Sequence, residues 1–177
     1  MVMRNGIFTA FAAAVALALT AVTSCAQAPS NPTSLGASGD WEAFTYEAEG
    51  SKVCYVYSAP KKSEANKKSA GRGPIYFMVT HWPGKKVKAQ PSTFIGYAFK
   101  EGSDVKLTID TRDFILYPVD NMAWTDKVET ERAILAAMKS GKTMSVSGTS
   151  AKGTTTKDSY SLSGISAAMD TIDGACK

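Results

Sequence analysis

The sequence predicts a mainly β fold, a single-domain antiparallel β-sandwich with one or two short peripheral helices. From Gly39 onward, short β-prone runs follow one another closely and are separated by turn residues. Only two segments have apolar residues at helical spacing. The chain has 177 residues, about the length of one domain, and no second linker, repeat or low-complexity block follows Gly39. These observations favour one β domain over residues 40–177.

The predicted strands are separated by recognisable turns. The first two form a hairpin around Glu49-Gly50-Ser51. The third ends at Pro83-Gly84, a type II turn pair. The alternation in Val105-Lys106-Leu107-Thr108-Ile109 predicts a strand with one buried face, and Ala151-Lys152-Gly153 closes the last hairpin. In chain order, the strands are expected over residues 41–48, 52–59, 74–82, 92–99, 104–110, 113–118, 143–150 and 154–161.

Two segments have helical periodicity. Asp126 followed by Glu129 matches a capping box, and Gly141 is suited to the position after a helix end, so a helix is expected over 127–140. A second helix is expected over 165–176, where apolar residues recur at helical spacing. That spacing places Cys176 on the face that packs against the sheet.

The first 24 residues have the pattern of a signal peptide. Arg4 supplies the positive charge that precedes an uncharged apolar run over residues 7–22. This run of 16 residues is shorter than the roughly 20 that span a bilayer. We therefore expect an exported protein.

The site of cleavage decides how the protein is held in the envelope. Val22-Thr23-Ser24-Cys25 matches a bacterial lipobox, in which Cys25 carries the lipid. The alternative is a signal-peptidase cut after Ala26, which would release a free periplasmic or secreted protein. Residues 25–39 are rich in Ala, Pro, Ser, Asn and Gly and predict a flexible tether. Lipidation is the favoured interpretation, and it would direct the protein to the outer membrane.

The three cysteines leave one pair in the mature domain. Once Cys25 is removed or lipidated, Cys54 and Cys176 remain in an oxidising compartment. Their spacing differs from the Cys-x-x-Cys arrangement of redox-active pairs. We therefore expect a structural disulfide that ties the C-terminus to the sheet.

Positive charge is concentrated in one part of the chain. Residues 52–100 contain ten Lys and Arg residues against one acid, whereas the rest of the mature chain has nine basic and fifteen acidic residues. If the basic loops meet at one end of the sandwich, they form a patch that attracts anionic glycans, lipopolysaccharide or host-cell surfaces. The alternative is that these lysines only keep an exported domain soluble. The basic loop residues are Lys61, Lys62, Lys67, Lys68, Arg72, Lys85, Lys86 and Lys88.

Catalytic and metal-binding motifs are scarce. His81 is the only histidine, and neither a Gly-x-Ser-x-Gly nucleophile motif nor a Gly-rich phosphate loop accompanies it. Turns and caps account for the acids that could act in pairs, which are Asp110, Asp113, Asp120 and Asp126. We expect no enzymatic activity, no metal, no cofactor and no nucleic-acid partner.

Several short motifs occur in a characteristic order between Trp41 and Cys176. They are Gly39-Asp40-Trp41, Cys54, Trp124-x-Asp126, Ala136-Ala137-Met138-Lys139-x-Gly141, Val146-x-Gly148, Gly153, Asp158-x-Tyr160-Ser161-Leu162-x-Gly164 and Ala168…Ile172…Cys176. In this order they resemble the invasion associated locus B family of alphaproteobacteria. The resemblance implies a small exported β-domain protein linked to host-cell invasion and virulence, with paired cysteines and no assigned catalytic residue.

Export, charge and this resemblance together predict the function. We expect a non-enzymatic protein of the periplasm or outer membrane that acts as an adhesion or interaction module, binding anionic surfaces or host cells through its basic loops. The alternative is a periplasmic structural or chaperone-like protein that binds other envelope proteins through a sheet edge.

Overall fold

The computed structural model describes residues 31–67 and 71–177, so the predicted signal peptide, Cys25 and Lys68 lie outside the described residues. In this part of the chain, eleven strands form one antiparallel sheet and two helices pack against it. The mainly β, antiparallel class predicted from the sequence is confirmed. The elements are β1 (Thr33–Ser38), β2 (Trp41–Ala48), β3 (Ser51–Ser58), β4 (Lys62–Ala65), β5 (Tyr76–Trp82), β6 (Val87–Phe94), β7 (Val105–Ile109), β8 (Arg112–Val119), β9 (Met122–Trp124), α1 (Val128–Ser140), β10 (Thr143–Thr149), β11 (Thr155–Ser161) and α2 (Ile165–Ala175).

The sheet folds back on itself at β8, in the strand order β1-β2-β3-β5-β6-β9-β8-β7-β10-β11-β4. Residues 112–116 of β8 pair with β7, whereas residues 117–119 pair with β9. The two halves share one core. The Phe77 ring lies edge-on to Tyr160 with 6.3 Å between centroids, and the Trp41 indole N–H donates to the Ser161 carbonyl at 3.0 Å. The arrangement is sandwich-like, with the inner faces of both halves buried.

Alternation along the strands decides which side chains reach this core. In β5, Phe77, Val79 and His81 are buried, while the residues between them are half-exposed. The helices close the open sides: α2 packs against β1, β2 and β3, and α1 lies beside the first half of β6. Their buried residues are Ile134, Ala137 and Met138 in α1, and Ile165, Ala168, Met169 and Ile172 in α2.

Two glycines allow the start of the sheet to meet the start of α2. The Asp40 N–H donates to the Ser163 carbonyl at 2.9 Å, which brings the β1–β2 turn against the segment before α2. Gly39 and Gly164 have φ angles of +57° and +91°, and a Cβ on Gly164 would lie 1.9 Å from the Ser38 carbonyl oxygen. Only glycine fits this approach.

The flexible tether predicted over residues 25–39 is wrong for residues 33–38, which form the edge strand β1. This segment pairs with β2 along its length, and Leu35 packs against the core. Its composition is typical of a linker, but pairing with a neighbouring strand and burial of one side chain stabilise it as a strand.

The β5–β6 hairpin and two short strands also differ from the prediction. A strand was expected over 92–99, whereas β6 is Val87–Phe94. The 3-10 turn Pro83–Lys85 and the left-handed Lys86, with φ +57°, reverse the chain so tightly that β6 begins at once. The strands β4 and β9 contain only four and three residues, too few to show a periodic pattern.

Helix α1 begins without the predicted capping box. Lys127 is the N-cap residue, and no side chain caps it. The Asp126 carboxylate lies 3.9 Å from the Lys127 ammonium instead, and the Thr125 hydroxyl donates to Glu131 at 3.0 Å. Helix α2 ends at Ala175, so its predicted extent over 165–176 is too long by one residue.

Candidate functional site

The first predicted basic loop contains a strand, and two of its lysines have carboxylate partners. Strand β4 pairs with β11 at the edge of the sheet. The Lys61 ammonium forms a salt bridge with Asp40, and Lys62 forms one with Glu64 at 2.8 Å. The hydrogen bond from Lys61 holds the pKa of Asp40 below its ordinary value. The positive charge of this segment is therefore partly neutralised within the protein.

Arg72 binds a buried carboxylate inside the protein. Its guanidinium forms two hydrogen bonds with Asp158, at 2.8 and 2.6 Å, and donates to the Ile95 carbonyl. The Arg72 side chain is 13% exposed and that of Asp158 is 0% exposed. Lys67, in the same segment, is exposed. The prediction that Arg72 belongs to an exposed cationic surface is wrong, because its donors are used inside the domain.

The second predicted basic loop is the turn of the β5–β6 hairpin. Lys85 pairs with Glu49 at 2.9 Å, and its ammonium lies 3.8 Å from the centroid of the Trp82 ring. Lys86 and Lys88 are exposed. Within residues 31–67 and 71–177, no carboxylate lies within salt-bridge distance of either ammonium. Both ammonium groups are therefore positive charges on the surface of the domain.

The two basic loops lie at opposite ends of β3, so they do not form the single patch considered from the sequence. Lys85 is near the first end of this strand, since its neighbour Trp82 donates a hydrogen bond to the Ser51 hydroxyl at 2.8 Å. Lys61 follows the last residue, Ser58. The strand has eight residues, so its ends are about 23 Å apart at about 3.3 Å per residue.

Lys86 and Lys88 line a groove between the first half of β6 and α1, here termed the basic groove. Its cavity volume is about 570 Å³. The first half of β6 pairs with β5 on one edge, and on its other edge, among the described residues, no strand covers it, because β9 pairs only with residues 92–94 of β6. On the helix wall, Arg132 adds a third cation and Val128, which is 53% exposed, adds an apolar side chain. The basic groove thus combines positive charge with apolar surface.

A smaller pocket of about 320 Å³ shares Lys86 and Lys88 with the basic groove and is lined by His81. The Ala89 N–H donates to His81 Nδ1 at 2.7 Å, so Nε2 carries the proton and donates to Asp173 at 3.0 Å. Burial lowers the pKa of His81, and the nearby Asp173 opposes this effect. The neutral imidazole therefore joins β5 to β6 and to α2.

The disulfide closes the same region. Cys54 lies opposite His81 in the register of β3 and β5, and its Sγ is bonded to that of Cys176, with the Cα atoms 6.0 Å apart. The disulfide expected from the sequence is confirmed. It holds the end of α2, with Asp173 and Lys177, beside the smaller pocket.

Aromatic side chains gather on the outer side of the first half of the sheet. Phe44 is opposite Tyr55, and Tyr76 is opposite Phe94, in the pairing of β2 with β3 and of β5 with β6. The sequence shows that aromatic residues alternate along β2 and β3, but not which strands lie side by side. The cluster is here termed the aromatic face and consists of seven half-exposed residues: Phe44, Tyr46, Tyr55, Tyr57, Tyr76, Met78 and Phe94.

A protein-family model described as Invasion associated locus B (IalB) protein matches residues 41–173. The chain belongs to this family. IalB membership suggests an invasion-associated protein of the cell envelope. Neither helix of the described IalB domain has the length and apolar composition needed to cross a bilayer. No curated protein and no solved structure matches the chain.

IalB is not a known enzyme family, and two of the acids considered from the sequence, Asp110 and Asp113, have structural partners. The Asp110 carboxylate accepts the backbone N–H groups of Thr143 and Lys142, which lower the pKa of Asp110. Asp113 pairs with Lys106 at 2.8 Å. Among the residues that the structure describes, no group of three or more His, Cys, Asp or Glu side chains could hold a metal ion.

Proposed function

We propose that this IalB-family protein is a non-enzymatic binding module of the cell envelope that holds anionic surfaces at the basic groove. The observation that carries the proposal is the position of Lys86, Lys88 and Arg132. These cations line one groove, and no carboxylate of the described residues forms a salt bridge with any of them. The ligand class is an anionic glycan, lipopolysaccharide or another anionic component of a host-cell surface.

The basic groove keeps a net positive charge, because Lys86, Lys88 and Arg132 line it against one carboxylate, Glu131. Glu131 accepts hydrogen bonds from Gln90 and Thr125, and Asp173 accepts one from His81. These hydrogen bonds hold the two carboxylates in place, while Lys86, Lys88 and Arg132 are exposed to solvent without a salt-bridge partner among the described residues. Lysine ammonium groups act as point charges, which suits diffuse and salt-sensitive binding of phosphate, sulfate or carboxylate groups.

We also propose that Cys25 is acylated and anchors the domain at the outer membrane. The support is the lipobox pattern over residues 22–25. The intact mass of the protein from membrane and soluble fractions tests this anchor. We expect a membrane-bound form that begins at acylated Cys25, whereas a soluble form that begins at Gln27 would contradict it.

Binding to lipopolysaccharide and to heparin over a range of salt concentrations tests the basic groove. The variant Lys86→Ala/Lys88→Ala removes two unpaired lysines. The control Lys61→Ala/Lys62→Ala removes two lysines with internal partners and so changes the net charge equally. We expect the first variant to bind about 10- to 30-fold more weakly at low salt, since each lysine near an anionic surface contributes about 1 kcal/mol.

The control variant should bind within about threefold of the unmodified protein, because its lysines already have carboxylate partners. Equal losses in the two variants would mean that net charge, and not the basic groove, governs binding. Affinity that does not change with salt would contradict an electrostatic site altogether.

The free edge of β1 favours a second function, in which the protein holds extended segments of other envelope proteins. Strand β1 is the first in the sheet order, and within residues 31–67 and 71–177 it pairs with β2 alone, so its other side can accept a further strand. This structural or chaperone-like function predicts that a photo-crosslinker at residue 37 captures one defined envelope protein. It also predicts that the complex resists salt and the Lys86→Ala/Lys88→Ala change.

A further inference from the structure

The aromatic face extends across the sheet toward β8. Tyr76 is opposite Phe94, Phe94 is opposite Met122, and Met122 is opposite Val119, so one row of outward side chains crosses four strands. At the far end Val119 is 57% exposed. A continuous outward surface of large apolar side chains marks an interaction site in an exported domain.

The rings of the aromatic face stack on each other, which limits what they can bind. The Phe44 and Tyr55 rings are 5.6 Å apart and 17° from parallel, and those of Tyr76 and Phe94 are 5.2 Å apart and 14° from parallel. In each stacked pair, one face of each ring is covered by its neighbour, and the contacts of Tyr46 with Tyr55 and of Tyr57 with Tyr76 are edge-on. Ligands that stack on exposed ring faces, as bases do, are therefore not favoured.

Tyrosine side chains, which combine an apolar ring with a polar hydroxyl group, suit the headgroup region of a lipid bilayer. Tyrosine and tryptophan concentrate there, because one end of the side chain is apolar and the other hydrogen-bonds to water or headgroups. The Tyr57 hydroxyl already donates to Glu42 at 3.1 Å. Burial raises the pKa of Tyr55 and Tyr76, so their hydroxyl groups remain protonated donors. These donors match the phosphate and carbonyl oxygens of lipids.

Chain length ties the aromatic face to the proposed anchor. Pro32 lines a shallow groove of about 550 Å³ together with Phe44, Tyr55 and Tyr76. Only the six residues 26–31 separate Pro32 from Cys25. Even a fully extended chain from Cys25 to Pro32 spans no more than about 25 Å. An acyl group on Cys25 would keep the aromatic face within this distance of the bilayer.

We propose that the aromatic face is a membrane-contact surface that lies on the headgroups of the bilayer holding Cys25. The proposal rests on the acylation of Cys25 proposed above and is independent of the basic groove. At the Ser51 end of β3, the half-exposed Trp82 ring, which lies under the Lys85 ammonium, borders this surface.

Vesicle partitioning tests this surface without its anchor. The chain from residue 25 onward, carrying Cys25→Ser, is mixed with vesicles of phosphatidylethanolamine and phosphatidylglycerol, with and without brominated acyl chains. We expect binding that persists at about 0.5 M NaCl, where the Debye length is about 4 Å. Brominated lipid should quench Trp124, which is opposite Tyr117 at the β8 end, but not Trp41, which is 0% exposed.

Substitutions on the aromatic face and away from it distinguish binding by this surface from non-specific hydrophobic adsorption to the vesicles. We expect Tyr55→Thr/Tyr76→Thr to lower partitioning about tenfold, because bound apolar area is lost. Threonine retains a preference for strands, and thermal unfolding of the variants checks that they fold. The control Ile115→Thr removes an exposed apolar side chain that is opposite Lys106 in the β7–β8 pairing, outside the aromatic face, and should leave partitioning unchanged.

Three results would overturn the proposal. One is partitioning of the unsubstituted chain no greater than that of the double variant, and another is binding abolished by 0.5 M salt. The third is a dimer that sedimentation detects for the unsubstituted chain but not for the double variant. That result would show that the aromatic face binds a second copy of the chain. The mass of Cys25 in the native protein is measured separately, so loss of the anchor and loss of bilayer contact are distinguishable.

Discussion

Arg72 and Asp158 form a two-bonded ion pair that joins the segment before β5 to β11, in the other half of the folded sheet. Asp158 is fully buried, and a buried carboxylate is stable only with a partner of this kind. A cation from the most basic part of the sequence therefore holds the two halves together and is not free for a ligand.

Arg72→Met is expected to lower the free energy of unfolding by about 3–5 kcal/mol, because Asp158 keeps a buried charge without its partner. Urea denaturation measures the change. Lys67→Met, at an exposed position in the same segment, should change stability by no more than about 0.5 kcal/mol. Adding Asp158→Leu to Arg72→Met should recover most of the loss, and a double variant no more stable than the single one would contradict this account.

Replacing Cys54 and Cys176 together with alanine is expected to lower the free energy of unfolding by about 4–5 kcal/mol. The disulfide joins residues 122 positions apart, and the chain-entropy model assigns a large effect to so long a loop. Denaturation with and without reductant measures it. Cys25→Ser serves as the control and should have no effect on the domain, whereas free thiols at both positions in the oxidised protein would refute the bond.

The stability of the domain is expected to fall as the pH decreases below about 6.5, the ordinary pKa of histidine. The pKa of folded His81 is lowered, so the unfolded chain binds the proton first and gains stability from it. Above that pH the His81 imidazole is neutral in both the folded and the unfolded chain, so its protonation has no effect on the free energy of unfolding. As the pH decreases further, the loss of stability grows until the pH reaches the lowered pKa of His81 in the folded protein.

His81→Gln removes this contribution and leaves the other titratable groups of the chain in place. The advantage of the unsubstituted protein over the variant should therefore shrink between pH 8 and pH 5, as measured by denaturation. A difference in unfolding free energy that is constant over this range would show that His81 does not titrate in the folded or unfolded chain as we infer.

Gly164→Ala is expected to destabilise the protein more than Gly153→Ala, although both residues have positive φ angles. Both variants carry the cost of left-handed backbone, about 1–2 kcal/mol. At Gly164 the new Cβ would also lie 1.9 Å from the Ser38 carbonyl oxygen, whereas nothing lies within 4 Å at Gly153. Thermal unfolding compares them, and equal losses would argue against the close approach of β1 to α2.

Local signals predicted most of the strands and both helices. The alternation over residues 105–109 and the turn Glu49-Gly50-Ser51 place β7 and the β2–β3 hairpin correctly, because side-chain direction and turn chemistry depend on near neighbours. The edge strand β1 was missed, since a strand of linker-like composition is stabilised by its pairing with β2. The capping box predicted at Asp126 is absent for a similar reason, because other contacts hold the chain before α1. Strand β9 pairs with β6, and the Thr125 hydroxyl donates to Glu131.

The sequence also located the positive charge without showing which cations are free. Lys61 pairs with Asp40 and Lys85 pairs with Glu49, in both cases with residues distant in the chain. Arg132 was not considered at all, because an arginine on a helix has no local feature that connects it to Lys88 on β6. Only the packing of α1 beside β6 assembles the basic groove.

By itself, the sequence determined the IalB family, the mainly β class and the cysteine pair, because motif order, period-two alternation and residue counts are properties of the chain alone. The tertiary structure decided that Phe44 stacks on Tyr55, that Arg72 is buried against Asp158 and that Lys86 and Lys88 line one groove with Arg132. These relationships depend on the order of strands in the sheet and on the fold at β8. Both arise from contacts between segments far apart in the sequence, so no local pattern encodes them.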